Sequence, residues 1–284
     1  MRFALPGFVV CRALRSSALE RSYELAREGD GRIFVARSRA FDDPLQQQRA
    51  WQQLEQLREL ELDGVARLVR VERVGKSVIS LAERAPGIGL DERSRGHPLA
   101  LGELLAIAEQ LSRILMQLHA RLPLHGDLRP ATIAIDSEIR QVTLVDAGIG
   151  RVFEQGQTLI HEHDFLDTRL PYVAPEQLGR SPTPPDGRAD LHALGVTLYE
   201  LATGRRPFTA STVSELVRAQ LVRRPRPPQE LRPGLPPTLA LIIMKLLEKQ
   251  PDQRYQSARG LHIDLVRLVL GVAQGETELS FPLA

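Results

Sequence analysis

The hydrophobic spacing of this chain changes character once, at Pro86-Gly87, and that change limits the folds open to it. Before the break, short apolar runs alternate with turn residues. Residues 8–13 read as a strand, and 23–27 and 32–39 flank Glu28-Gly29-Asp30-Gly31, a string that predicts a hairpin. Residues 44–60 carry Leu54, Leu57 and Leu60 at helical spacing and predict one amphipathic helix. Two more strands are expected over 66–71 and 77–82. After the break helical spacing dominates. Residues 101–121 place Leu104, Leu105, Ala108, Leu111, Leu115 and Leu118 on one face. Two short strands, 132–135 and 142–145, surround a turn at 136–140, and a long polar segment runs from about 148 to 168. Helices are expected over 190–203, 212–221, 237–249 and 257–271. Strands first and helices later predict an α+β fold of two lobes, a small sheet with one helix and a larger, mainly helical body. The expected boundaries are 1–85, 86–272 and a linker over 273–284. The cleft between two such lobes is the default ligand site.

Composition excludes several classes of function. The 284 residues are 43% hydrophobic and 25% charged, enough apolar material for a sizeable core. Aromatics are only 5%, so that core must be built from Leu, Val, Ile and Ala. A formal charge of +2 is too near balance to argue for nucleic acid, and Arg223-Arg224-Pro225-Arg226 is a proline-broken, solvated loop. Cys11 is alone, so neither an internal disulfide nor a cysteine metal site can form, which fits a reducing cytoplasm. Phe8-Val9-Val10 is too short for a signal peptide, Lys245 breaks the apolar run at 239–247, and nothing reaches a membrane span. A soluble, cytoplasmic protein is expected.

Chemistry is concentrated in five short strings in a fixed order. His125-Gly126-Asp127-Leu128-Arg129-Pro130-Ala131-Thr132 resembles the protein-kinase catalytic loop, H-R-D-x-K-P-x-N. Val145-Asp146-Ala147-Gly148 resembles D-F-G, and Ala174-Pro175-Glu176 is A-P-E. The run from Asp190 through Gly195 to Gly204 resembles the helix behind the active site, and Arg254 falls where an arginine pairs with the A-P-E glutamate. Five strings in register identify the chain as a member of the protein kinase superfamily. The stretches 171–180 and 252–265 are similar to the N-terminal kinase-like domain of bacterial hybrid regulators. In those proteins a predicted ATPase region follows, often with a sensor histidine kinase. Phe281-Pro282-Leu283-Ala284 resembles the linker before that ATPase region, so the chain is expected to be a piece of a longer protein.

The resemblance assigns roles residue by residue. Asp127 would accept the proton of a substrate hydroxyl, and Arg129 would neutralise the γ-phosphate in place of lysine. Asp146 would hold Mg2+, with Thr132 at the second metal position. Arg37 stands at the lysine that grips the ATP phosphates, and the backbone of Glu83 and Ala85 would meet the adenine. His125 would brace the loop.

The departures from the family pattern weigh as much as the matches. Thr132 offers a hydroxyl where the pattern has a carboxamide. Arg37 carries a wider fork than lysine and reads equally as a surface arginine at a strand end. Its helix partner should be a glutamate, and that position is Gln53, with Glu55 or Glu59 as stand-ins. The phosphate-cradling G-x-G-x-x-G is replaced by Arg15-Ser16-Ser17-Ala18-Leu19-Glu20-Arg21-Ser22, without glycine, and Glu20 would repel phosphate. Gly126 replaces the arginine that receives an activating phosphate, and Arg169 falls where threonine bonds the catalytic aspartate, unless a one-residue slip restores Thr168. His161-Glu162-His163-Asp164 lacks metal-site spacing, and Trp51 reads as packing.

Losing one charge-stabilising group costs roughly 10²–10³-fold in rate. Several such losses predict a pseudokinase or very weak kinase that regulates protein partners or other domains of its own polypeptide. Two alternatives stay open: an active Ser/Thr kinase using ATP and Mg2+, and an ATP-binding switch without transfer.

Overall fold

In the computed structural model the described residues are 5–16, 20–145, 169–178, 184–276 and 281–284. The chain divides into two compact units. The smaller holds the described residues up to Pro86 together with 143–145, and the larger holds the rest.

The smaller unit is a five-stranded antiparallel sheet and one helix. Strands β1 (Phe8–Ser16), β2 (Glu20–Arg27), β3 (Ile33–Ala40), β4 (Leu68–Val74) and β5 (Ser77–Glu83) lie in the order β1-β2-β3-β5-β4. The hairpin expected at 28–31 joins β2 to β3, and Asp30 accepts the N–H of Arg32 at 3.1 Å inside it. β1 runs three residues past the expected end because register shifts at Val10/Arg12 and Ala13/Arg15 let a polar segment keep pairing. Helix α1 (Pro44–Glu59) starts where Asp43 accepts the N–H of Leu45 at 2.9 Å with Pro44 in the first turn. Its buried stripe is Ala50, Leu54 and Leu57, packed on β4 and β5, while Leu60 leaves the stripe as the extended C-cap. On the sheet, Leu25, Phe34, Ala36 and Leu81 form the core, closed by Phe8 edge-on to Phe34 at 5.4 Å.

The larger unit opens with β6 (Ile88–Gly89), α2 (Leu90–Ser94) and α3 (Leu101–His119). Strand β7 (Ile133–Ile135) pairs with β6, and β8 (Val142–Leu144) follows, of which Val142 belongs to this unit and 143–144 to the smaller one. Gln110 of α3 clamps the turn between them, donating to the carbonyl of Ile139 and accepting the N–H of Val142, each at 3.0 Å. Then come α4 (Pro175–Leu178), α5 (Gly187–Thr203), α6 (Val213–Val222), α7 (Pro228–Leu231), α8 (Pro237–Leu246) and α9 (Ala258–Ala273). Helix α5 is buried along almost its whole length and is the axis of the unit. Glycine at 195 permits its close crossing with α8, since a Cβ there would stand 2.7 Å from the Leu246 Cβ. Helix α3 packs along α9. The expected α+β division into a sheet with one helix and a mainly helical body is met.

Among the described residues no helix is long and apolar enough to cross a membrane.

Candidate functional site

The loop 125–132 takes its shape from one aspartate. Asp190, in the first turn of α5, is buried, and its Oδ2 accepts the backbone N–H of His125 at 2.6 Å and His119 Nε2 at 2.8 Å. Its Oδ1 accepts the N–H of Gly126 at 2.8 Å. Burial by itself would raise this carboxyl, but the hydrogen bond and charge of His119, the nearby His125 and the Gly126 N–H hold it below the usual carboxylate range. One carboxylate of α5 therefore grips the loop through two backbone N–H groups and the end of α3 through His119.

Gly126 has φ +85°, a left-handed conformation that disfavours a side chain. The backbone turns there and delivers Asp127. Its Oδ1 receives Arg129 Nε at 3.0 Å, and its Oδ2 lies 3.7 Å from Arg169 Nε. All three side chains are largely buried; Arg129 is only 3% exposed. His125 Nδ1 accepts the N–H of Asp127 at 3.4 Å, a brace. Thr132 closes the loop from the far end. Its hydroxyl lies 2.7 Å from the Asp127 carbonyl and 2.9 Å from the Arg129 carbonyl, and accepts the N–H of Arg129 at 3.2 Å. A hydroxyl has one proton and two lone pairs, so these partners occupy most of its capacity, and the residue is 1% exposed.

Arg169 is aimed by the short turn after it, Leu170–Tyr172. Gln220 of α6 donates to the carbonyl of Leu170 at 2.7 Å, and Tyr172 donates its hydroxyl to Glu200 at 2.5 Å. Burial, then the Glu200 charge, push that phenol well above the ordinary tyrosine range. Just beyond, Glu176 of α4 is held by Arg254 through two bonds of 2.7 Å, the pairing expected for those positions.

The larger unit thus brings Asp127, Arg129 and Thr132 together and adds Arg169, which the sequence pattern had set at the threonine position. Arg37, Gln53, Glu83 and Ala85 belong to the smaller unit. There Leu144 runs beside 64–66, its N–H on the Gly64 carbonyl and its carbonyl on the Ala66 N–H, each at 2.8 Å. That contact carries Val145 to β3, where Arg37 Nη1 donates to its carbonyl at 2.6 Å. Gln53 Oε1 is buried without a partner among the described residues. Glu55 pairs with Arg58 of its own helix, at 2.5 Å. The Glu83 N–H goes to the carbonyl of Arg67 at 2.9 Å, and Ala85 is half-buried just past β5. Asp146, Thr168 and the cluster at 161–164 lie outside the described residues, as do 17–19 of the glycine-free loop. Among the described residues no group of three or more His, Cys, Asp and Glu side chains could hold a metal ion. His119 was missed from sequence; it ends the apolar face of α3, and nothing local in its neighbours points to Asp190, 71 residues on.

The protein kinase domain family matches this chain over residues 23–265. The serine/threonine-protein kinase Pkn1 of Myxococcus xanthus is 36% identical over 166 residues, 57% of this chain and 23% of that protein. PknB, a serine/threonine-protein kinase of Mycolicibacterium smegmatis, is 31% identical over 176 residues, 62% of this chain and 28% of that protein. The hybrid signal transduction histidine kinase G of Dictyostelium discoideum is 48% identical over 101 residues, 36% of this chain and 3% of that protein. The chain spans less than a third of each of these relatives. The crystal structure of Rad53 1-466 in complex with AMP-PNP matches with a TM-score of 0.72 at 20% identity, covering 90% of this chain and 64% of that one. That likeness is one of fold.

Proposed function

The chain belongs to the protein kinase domain family, and from that premise we propose that it is a bacterial, cytoplasmic kinase-like signalling module acting chiefly as a regulatory scaffold, a pseudokinase or very weak kinase. The observation that carries this reading is the Asp127 carboxylate, with a guanidinium facing each oxygen, Arg129 at 3.0 Å and Arg169 at 3.7 Å. A general base must take a proton from a hydroxyl at hydrogen-bond range. Here a substrate hydroxyl would have to share the carboxylate with two cations, whose charge competes for the oxygens that must take its proton. Both cations are positioned by buried structure, Arg129 by the Thr132 brace and Arg169 by the turn that Gln220 holds.

The family implies ATP and Mg2+, and the residues fit them unequally. Mg2+ requires oxygens it can reach in near-octahedral geometry. Thr132 offers a buried hydroxyl already engaged with the loop backbone, so it suits the role of brace better than that of ligand. A nucleotide would meet Arg37 and the backbone of Glu83 and Ala85, and Arg37 already donates to Val145. A scaffold requires neither group. Its partners on this reading are another protein or further domains of the same polypeptide.

A second reading, an active Ser/Thr kinase that transfers the ATP γ-phosphate to a protein hydroxyl, is favoured by the Asp190 anchor, which keeps Asp127 presented on a firm loop. One experiment separates the two. Thermal stabilisation is measured with ATP, with and without Mg2+, and radiolabel transfer is followed in the same samples. The scaffold reading expects no transfer beyond a trace. Efficient transfer abolished by Asp127→Asn would overturn it, and stabilisation without transfer would identify an ATP-gated switch.

A further inference from the structure

Asp264 lies in the second turn of α9 and is 1% exposed. A buried carboxylate needs hydrogen-bond donors to offset its lost hydration. Its Oδ2 has two: the Tyr255 hydroxyl at 2.9 Å and the backbone N–H of Ala284 at 2.8 Å, 20 residues downstream. The segment 281–284 makes further contacts on the same face. The Arg267 guanidinium covers the Phe281 ring at 4.8 Å. Lys245 of α8 reaches the backbone oxygen of Leu283 at 3.4 Å and that of Ala284 at 2.5 Å, while lying 4.8 Å from the Tyr255 ring. Room for the segment comes from Gly260, where an added Cβ would stand 3.2 Å from the Ala284 Cβ.

We propose that the face shared by α8 and α9 is a docking site for the chain's own Phe281-Pro282-Leu283-Ala284 segment. Asp264 captures a backbone N–H, Lys245 captures backbone oxygens, and Arg267 covers the aromatic ring. The site therefore selects a short extended peptide whose aromatic residue lies three positions before the captured N–H. Pro282 suits such a peptide, since its ring fixes φ and it brings no N–H of its own needing a partner. None of these side chains takes part in the loop around Asp127, so the latch is a second, separate interaction surface.

Amide hydrogen exchange of the full chain, read by mass spectrometry on the peptide containing 281–284, tests this. In the unmodified chain, exchange of the Ala284 amide, whose N–H Asp264 accepts, is expected to be at least about tenfold slower than the intrinsic rate. Gly260→Leu leaves Asp264, Tyr255 and Lys245 in place but fills the space beside Ala284. It should return the segment to the intrinsic rate, with α3 and α5 still protected as before. The double variant Lys245→Ala, Arg267→Ala should do the same through the outer contacts. Intrinsic-rate exchange in the unmodified chain, or unchanged protection in both variants, would overturn the proposal.

Discussion

Arg254 and Glu176 are joined by two hydrogen bonds of 2.7 Å across 78 residues of sequence. The arginine side chain has no solvent exposure, and its other donors go to the carbonyls of Arg188, Glu248 and Lys249. One side chain therefore ties α4 to the start of α5 and to the loop after α8. Removing one partner of a buried pair leaves the other charge uncompensated, at a cost of about 3–5 kcal/mol. Glu176→Ala is expected to lose that much, seen as a lower denaturant midpoint at unchanged m-value. Glu176→Gln, which keeps the shape and an acceptor, should lose less.

His192 lies within α5, fully buried, and neither ring nitrogen has a hydrogen-bond partner among the described residues. Burial holds its imidazole well below the usual histidine range, and the charges of Arg254 and Lys249 act in the same direction. The unfolded chain therefore takes up this proton first. The neutral ring's contribution is complete above about pH 6.5 and is lost as the pH falls below it, by up to about 1.4 kcal/mol per pH unit. His192→Leu should flatten the fall in stability between pH 7.5 and pH 5, with the variant the more stable of the two at pH 5. Paired urea titrations at the two pH values check this.

Asp190 has the opposite linkage. Its folded carboxyl sits below the ordinary range, so its contribution is present above about pH 4 and is lost as the pH falls through the folded value. Asp190→Asn removes that dependence and weakens the grip on His125 and Gly126. The variant should be less stable at pH 7, and its deficit should shrink below pH 4. A deficit constant across that range would refute the linkage.

The two lobes and the Glu176–Arg254 pair were legible because each rests on a local string or spacing whose partner is also a recognisable string. The asymmetry of the site was less legible. Arg169 meets Asp127 because Gln220 and Glu200 hold the turn after it, and neither is near either residue in sequence. Arg37 was readable as a departure from lysine, but its bond to Val145 depends on Leu144 running beside Gly64 and Ala66. His119 gave no signal because a histidine ending an apolar helix face is chemically ordinary until Asp190 is beside it. The latch residues escaped for the same reason: a carboxylate inside a helix is unremarkable in sequence and informative only once buried.

Gly126 illustrates how a substitution can be locked in. The position carries arginine in the family pattern, yet its φ of +85° here is one that side-chain-bearing residues resist. Gly126→Arg or Gly126→Ala is expected to cost about 1–2 kcal/mol from backbone conformation alone. Restoring the arginine should therefore strain the Asp190 anchor and not restore a phosphate-operated switch. Equal destabilisation by Ala and Arg would show that the cost is the backbone's. A stable Arg variant would show that the loop can take another path.

Arg37 separates a brace from a phosphate grip. Its guanidinium donates to the Val145 carbonyl at 2.6 Å, joining β3 to the strand that ends at Leu144. If this bond is what the residue supplies, Arg37→Met keeps the stem, loses a charged donor and costs about 1.5–3 kcal/mol. Under the scaffold reading that loss appears in the unfolding free energy without ATP, and adding ATP changes the two proteins equally. If Arg37 grips phosphate, the unliganded proteins should differ little and ATP should stabilise only the unmodified chain. Lysine should behave differently from methionine in the second case and much like it in the first, because its single ammonium cannot keep the guanidinium's reach to Val145 in this geometry. Unfolding of all three proteins with and without ATP decides between the two roles.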